Sequence, residues 1–228
     1  MLSCCETFFF ALLDKKEEEL YLVRDRIGEK PIYYGFQKNT FLFGSELKAI
    51  KEHPDFQNII DRNSVTLQLR YSCIPAPYSI YKGIRKLLPG TFIRISVANE
   101  KQSLNNFPIP KPYWSLKDVV VAGREKPFLG SDIEAVDTLD DLLNKSIQQQ
   151  MVADVPVGAF LSGGIDSTSV VAIMQAQSSR PIQTFTIGSD VQNYNEAIHA
   201  KSIAKYLGTD HTELYVSSQD ALNVIPYL

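Results

Sequence analysis

Apolar positions in the first hundred residues come in short runs broken by turn chemistry. Residues 8–13, three phenylalanines followed by Ala11, Leu12 and Leu13, precede a charged stretch, then Leu20-Tyr21-Leu22-Val23, Gly28 and Ile32-Tyr33-Tyr34-Gly35-Phe36. Runs of this length, rich in aromatic and branched residues and bounded by glycine or charge, predict strands joined as hairpins. Asn39-Thr40 separates residues 32–36 from Phe41-Leu42-Phe43 and predicts a further hairpin, after which Ser45 can cap a short helix over 45–51. Leu88-Pro89-Gly90 reads as a turn feeding a strand over 91–95. The front of the chain is mostly sheet.

Between about Ala98 and Gly130 the pattern dissolves into Asn, Pro, Lys and Gly, and Pro108, Pro110, Pro112 and Pro127 are expected to interrupt any regular element. This marks a linker. Trp114, the single tryptophan, reads as an anchor packing that linker onto one domain. From Ser131 the period changes: Ser131-Asp132-Ile133-Glu134 has the form of a capping box, and Ala135, Leu139, Leu142, Leu143 and Ile147 recur at helical spacing. A buried strand over 155–161, a helix over 166–177, a strand over 182–187, a helix over 195–207 closed by Gly208 and a strand over 212–216 follow. Such alternation predicts a parallel sheet covered by crossover helices. The expected class is therefore α+β with a partial antiparallel sheet over 1–110, a linker over 111–130, and an α/β parallel-sheet domain over 131–228. Three strands are few for such a sheet, so the fold is expected to continue beyond Leu228.

Charge and composition narrow the chemistry. With 23 Lys+Arg against 26 Asp+Glu the 228-residue chain carries a net charge of −3, which argues against a basic nucleic-acid binder. Hydrophobic residues at 44% and charged residues at 21% lie in the globular range. The longest apolar run, residues 8–13, is far short of the roughly 18 residues a membrane span needs. Three cysteines, two of them adjacent, make no disulfide framework, and the start of the chain has no secretory signature, so a cytoplasmic setting is expected. Histidines stand only at 53, 199 and 211, with no zinc-type spacing. Neither a Gly-x-Ser-x-Gly elbow nor a Gly-x-Gly-x-x-Gly turn occurs.

The informative stretch runs from Val155 to Thr168, where a strand enters Ser162-Gly163-Gly164-Ile165-Asp166-Ser167 and then a helix. Unpaired N–H groups and the positive end of a helix dipole converge there, which suits an anion. Gly163 and Gly164 let the backbone come close to a ligand, and the Ser162 and Ser167 hydroxyls add donors. Gly158 and Gly163 have the spacing of the two Walker-loop glycines, but Gly164 and Ile165 stand where that loop has its lysine and hydroxyl residue. Without the lysine, Asp166 would repel phosphates unless a divalent cation bridged them, which implies Mg²⁺ at Asp166.

The Ser162 to Ser167 segment resembles the pyrophosphate loop of the ATP-pyrophosphatase superfamily, whose fold is adenine nucleotide α-hydrolase-like. With Asp154-Val155-Pro156-Val157-Gly158 before it, the stretch is similar to that of the glutamine-hydrolysing asparagine synthetases. Residues 23–34, with 44–50, are similar to the later half of that family's glutaminase domain, which is of the N-terminal nucleophile type. Residues 74–77, Tyr81, 88–90 and Tyr113-Trp114 continue the likeness in register, as do Asn195-Glu196 and 207–211, so that it covers nearly the whole chain.

The resemblance implies an amidotransferase that adenylates the side-chain carboxylate of aspartate with ATP and Mg²⁺, releases pyrophosphate, and lets ammonia from glutamine displace AMP. It implies that Ser162, Gly163, Gly164, Asp166 and Ser167 hold the pyrophosphate and, at Asp166, its magnesium. Leu161 and Ile187 match positions that touch the nucleotide, although each also reads as a core residue, and Glu196 matches one facing the same site. The partners implied are small molecules, namely ATP, aspartate or another carboxylate, and ammonia, with no nucleic acid and no membrane. The edges of two partial sheets predict self-association, a homo-oligomer being one form of it.

The chain also departs from the pattern. The family's glutaminase needs a cysteine directly after the initiator methionine, where this chain has Leu2, so no catalytic residue is assigned in that half. Cys4 and Cys5 fall in a segment aligned with the domain's interior and read as buried thiols. The glutamine-binding arginine, the Gly-Ser-Asp stretch and the second phosphate motif, Ser-Gly-Glu-Gly-x-Asp-Glu, have no counterpart. The chain is thus expected to correspond to the middle of a larger enzyme. A relative that amidates another carboxylate such as a sugar acid, or that closes a ring as β-lactam synthetase does, and an inactive nucleotide-binding remnant are the competing readings.

Overall fold

The structure, a computed structural model, describes residues 7–97, 107–189 and 195–227. They fall into two compact units that divide between Pro127 and Phe128. Leu2, Cys4 and Cys5, on which the expectations about the glutaminase nucleophile rest, lie outside the described residues.

The first unit opens with β1 (Phe9–Asp14) and β2 (Glu19–Arg24), an antiparallel hairpin in which Phe9 faces Arg24 and Asp14 faces Glu19. The Asp14 carboxylate closes its turn by accepting from the Lys16 and Glu17 N–H groups at 2.9 and 3.1 Å. β3 (Tyr33–Gln37) and β4 (Thr40–Gly44) form a second hairpin around Lys38-Asn39, with Lys38 at φ 52°. Helices α1 (Leu47–Lys51) and α2 (Arg62–Tyr71) follow, then β5 (Ile84–Lys86), β6 (Thr91–Ser96) and β7 (Lys111–Pro112). The strands make two antiparallel sheets, ordered β1-β2-β6-β7 and β4-β3-β5. Leu22, Ile93 and Ile95 from the first sheet meet Tyr34 of the second, with Ile32 and Leu87, in one core.

One polar knot ties this unit. Arg24 donates from Nε to the Lys30 carbonyl at 2.9 Å and from its terminal nitrogens to the carbonyls of Leu87 and Gly28. The Asp25 carboxylate, only 3% exposed, accepts the N–H groups of Gly28, Glu29 and Lys30. At the following segment the backbone N–H of Trp114 donates to the Gly90 carbonyl, and Gly90, at φ 64°, lies so close that a Cβ there would stand 2.5 Å from the Trp114 carbonyl oxygen.

Two helices of the first unit depart from the sequence expectation, and α7 of the second was not anticipated either. α2 was hidden because Val65, Leu67 and Leu69 alternate with period two, the signature of a strand; Asp61 caps it by accepting from the Asn63 N–H. The expected irregular linker contains α3 (Leu116–Glu125), capped by Ser115, whose hydroxyl accepts from the Asp118 N–H. The prolines that were expected to break any element here flank 113–126 and leave its interior free, so a helix fits.

The second unit begins with α4 (Asp132–Gln150), whose predicted capping box is formed between Ser131 and Glu134 in both directions. β8 (Gly158–Phe160), α5 (Ile165–Ala176), β9 (Gln183–Ser189), α6 (Ala197–Leu207), β10 (Asp210–Val216), α7 (Ser218–Val224) and a 3-10 turn at Ile225–Tyr227 complete it. The sheet is parallel and ordered β10-β9-β8, with Gly158 and Asp210 both paired to Gln183. Gly208, at φ 72°, closes α6. Burial alternates along β9: Thr184, Thr186 and Gly188 are buried, while Gln183, Phe185 and Ile187 are exposed. One face is therefore covered, and Leu161, Val171, Ala200 and Ala204 form a core there. The other is open.

The buried strand expected over 155–161 is corrected by this arrangement. β8 has three residues and lies at the sheet edge, and Phe160 is 79% exposed. Pro156 has no N–H to give a ladder, and β8 pairs among the described residues with β9 alone.

Candidate functional site

The candidate site is the turn between β8 and α5. Leu161 ends the strand: its N–H donates to the Phe185 carbonyl at 2.9 Å, and its own carbonyl accepts from the Thr186 hydroxyl. Gly163 follows at φ 82°, a conformation that favours glycine, and a Cβ on it would lie 3.0 Å from His199 Cβ and 3.1 Å from the Ala200 nitrogen. The first turn of α6 thus packs directly on the loop, which leaves no room for a side chain.

Helix α5 starts at Gly164 without a side-chain cap, as α1 and α6 do, whereas α2, α3, α4 and α7 are each capped by an Asp or Ser. The first bond into the helix is Thr168 N–H to Gly164 carbonyl at 3.0 Å. The N–H groups of Ile165, Asp166 and Ser167 precede it and have no intrahelical acceptor. The Ser162 and Ser167 hydroxyls lie 2.9 Å apart, and Ser167 Oγ also accepts the Ser162 N–H at 3.2 Å. Asp166 sits exposed in the first turn of α5. Oriented donors, two hydroxyls and a helix N-terminus can bind a polyanion.

The residues singled out from sequence are not all alike in place. Ser162, Gly163, Gly164, Asp166 and Ser167 come together in this one turn. Leu161 is 1% exposed and belongs to the core, just before the loop. Ile187, in contrast, is 63% exposed, so its reading as a core residue fails here. Phe160 pairs with Phe185, and Ile187 lies two residues further along β9 on the same open face. Glu196 is the N-cap residue of α6, whose first turn packs on Gly163.

Three contributors had no signal in the sequence. Thr186 and the His199–Ala200 turn hold the loop, yet each reads as an ordinary strand or helix position. Beneath them, Thr184 Oγ1 lies 2.9 Å from both Thr209 Oγ1 and His211 Nδ1, so the 207–211 segment is stitched to the covered face of the sheet.

Asp166 is the one acidic residue of the loop, and among the described residues no group of three or more His, Cys, Asp or Glu is placed to hold a metal ion. A single exposed carboxylate fits Mg²⁺, which takes one or two carboxylates and completes its shell with phosphate oxygens and water.

Two family models match the chain: a glutamine amidotransferase domain over residues 2–114 and asparagine synthase over residues 138–228. A putative asparagine synthetase [glutamine-hydrolyzing] 2 of Methanocaldococcus jannaschii is 34% identical over 92% of this chain and 39% of its own length. Asparagine synthetase [glutamine-hydrolyzing] 3 of Bacillus subtilis is 31% identical over 95% of the chain and 35% of its own. A putative asparagine synthetase [glutamine-hydrolyzing] of Mycobacterium tuberculosis is 29% identical, with 96% and 32% covered. The chain therefore spans about a third of the length of the curated relatives it matches. With these relatives aligned over more than nine-tenths of it, and both halves matched in the relatives' order, the chain belongs to the glutamine-hydrolysing asparagine synthetase family.

Proposed function

We propose that the turn from Ser162 to Ser167 binds the triphosphate of ATP, and that the chain contributes this site to an asparagine synthetase that adenylates the aspartate side chain and amidates it with ammonia from glutamine. The observation that carries this reading is the uncapped start of α5, with Gly163 at φ 82° pressed onto α6. Four of the other helices carry a side-chain cap; α5 has none, and it alone of the uncapped helices starts within a few residues of a parallel strand's carboxyl end, where open α/β sheets bind ligands. The mixed architecture, with antiparallel sheets in one unit and a parallel sheet in the other, is compatible with half of an N-terminal nucleophile glutaminase over 1–110 and the first part of an ATP-pyrophosphatase domain over 131–228.

Each group has a role in this reading. The N–H groups of residues 165–167 take the phosphate oxygens that become pyrophosphate, stabilising charge as it leaves. Ser162 and Ser167 donate their hydroxyl protons to the same oxygens, giving up their mutual bond. Asp166 would hold Mg²⁺, which would offset the repulsion between the carboxylate and the phosphates. Ile187, exposed on the open face of the sheet, offers an apolar surface to the adenosine part, and Leu161 supports the loop from the core. Among the described residues no helix is long and apolar enough to cross a membrane. The odd cysteine count keeps the cytoplasm as the proposed compartment.

Calorimetric titration with Mg-ATP tests the site. Wild type should bind, and Asp166→Ala and Gly163→Val should each weaken binding by about tenfold or more, the loss of one charge-assisted contact or of the close approach. Binding left unchanged in both variants rejects the assignment.

A further inference from the structure

In the first unit, a cavity of about 330 Å³ is lined by Tyr33, Leu47, Gln68, Ser72, Cys73 and Lys86, among others. Its walls arise from the way α2 ends. Ser72 takes the left-handed conformation, φ 56°, so the chain reverses and Cys73 and Ile74 run back toward β5, where Lys86 stands. The Lys86 ammonium donates to the Ile74 carbonyl and lies 5.8 Å from the centre of the Tyr33 ring.

Lys86 is half-buried, and among the described residues it has no carboxylate within ion-pair distance; the four ion pairs found there use Lys38, Lys48, Arg94 and Lys201. Burial pushes its pKa below the ordinary lysine value, Cys73 nearby acts in the opposite sense, and the Arg24 charge adds to the lowering. A half-buried cation is stabilised when an opposite charge comes beside it. The cavity also offers an amide at Gln68, a hydroxyl at Ser72 and an apolar wall at Leu47, and among the described residues no acid lines it. The donors are few and the charge single, which suits one carboxylate on a short apolar stem rather than a polyphosphate.

We propose that this cavity binds a small carboxylate, with the Lys86 ammonium as its counter-charge and the Cys73 thiol at its side. The site is separate from the Ser162 turn, and it stands or falls independently of nucleotide binding.

Cys73 is exposed and makes the site readable by alkylation. Iodoacetate carries the carboxylate and iodoacetamide is its neutral counterpart. With either, the Cys73 sulfur displaces iodide from the methylene carbon, a C–S bond forms as C–I breaks, and the thiol proton goes to buffer. Rates are followed by mass spectrometry on the peptide containing Cys73, which separates it from Cys4 and Cys5. In the native chain the iodoacetate-to-iodoacetamide ratio at Cys73 should exceed that of the urea-unfolded chain by about fivefold, the effect of one charge at close range even in water. Lys86→Gln should remove the excess while Lys86→Arg keeps most of it, and millimolar propionate should slow iodoacetate on the wild-type protein. A native ratio equal to the unfolded one, an excess that survives Lys86→Gln, or no protection by propionate overturns the proposal. Because propionate protection and Lys86→Arg are read on charged, native cavities, the outcome does not depend on Lys86→Gln folding.

Discussion

Asp25 serves three backbone N–H groups with one buried carboxylate, and those donors belong to a turn that has no other acceptor for them among the described residues. Asp25→Ala would remove all three bonds, and we expect it to lower the stability of the first unit by about 1.5–3 kcal/mol, the range for hydrogen bonds to a charged group, because Glu29 and Lys30 are exposed and water can reach their N–H groups. Urea unfolding followed by Trp114 fluorescence measures this; a loss below about 1 kcal/mol would show that water replaces the carboxylate without penalty. Asp25→Asn, which keeps one acceptor oxygen without the charge, should recover part of the loss. Gly163 carries a different constraint, because its left-handed backbone and the adjoining His199 both oppose a side chain. Gly163→Ala is expected to destabilise the second unit by about 1–3 kcal/mol, and thermal melting would detect it.

Among the elements, α4 and α7 carry reciprocal capping boxes, and these should make both helix starts sensitive to acid. The Ser131 N–H and then its hydroxyl hold the Glu134 carboxyl below the usual glutamate range, and Ser217 does the same for Asp220 through its hydroxyl and then its N–H. A lowered folded pKa means that the box contributes fully above the unfolded carboxylate value, about 4.3 for glutamate, and that the contribution is lost as pH falls through the lower folded one. Protection of the first amides of α4 against hydrogen exchange should therefore fall over that window, and Glu134→Gln should flatten the dependence. Ser131→Ala, which removes the hydroxyl at every pH, is expected to cost about 1 kcal/mol.

The same elements explain what the sequence made legible. The hairpins around residues 14–19 and 37–40 and helix α4 have a single period and clear end signals, and α5, β9 and α6 follow from the alternation of apolar strands with helices, so local chemistry and tertiary structure agree. α2 escaped because its apolar residues alternate, and its helical form follows from Asp61 and from packing that buries Ser64, a polar position that pattern reading passes over. α3 escaped because its prolines stand on either side of the helix, so that a window holding them all reads as irregular although its interior is free of them. The phosphate turn was legible from its two glycines and the helix behind them. Its supports at Thr186 and His199–Ala200 were not, because they arrive from elements 20 and more residues downstream and owe their positions to the parallel crossover.

For the molecule as a whole, the open face of the parallel sheet dominates behaviour. Phe160, Ile187 and Leu214 are 79%, 63% and 61% exposed on the side away from the core, a larger apolar surface than an isolated sheet tolerates without a cover. We expect this chain to associate with rising concentration. Light scattering should show the mean mass growing with protein concentration, and replacing Phe160 and Leu214 together by Ser should bring it back toward that of a monomer. A monodisperse 25.6 kDa particle at high concentration, for the unaltered chain, would refute the expectation.

The three-residue length of β8 decides what form that clustering takes. Thread-like growth needs a long, flat row of free amide groups onto which strand after strand can be added. Pro156 interrupts that row just ahead of Gly158, and at the opposite margin β10 carries Asp210 and Glu213. Neither margin is a template, so the particles should meet face to face, remain reversible on dilution, and leave amyloid-reporting dyes dark.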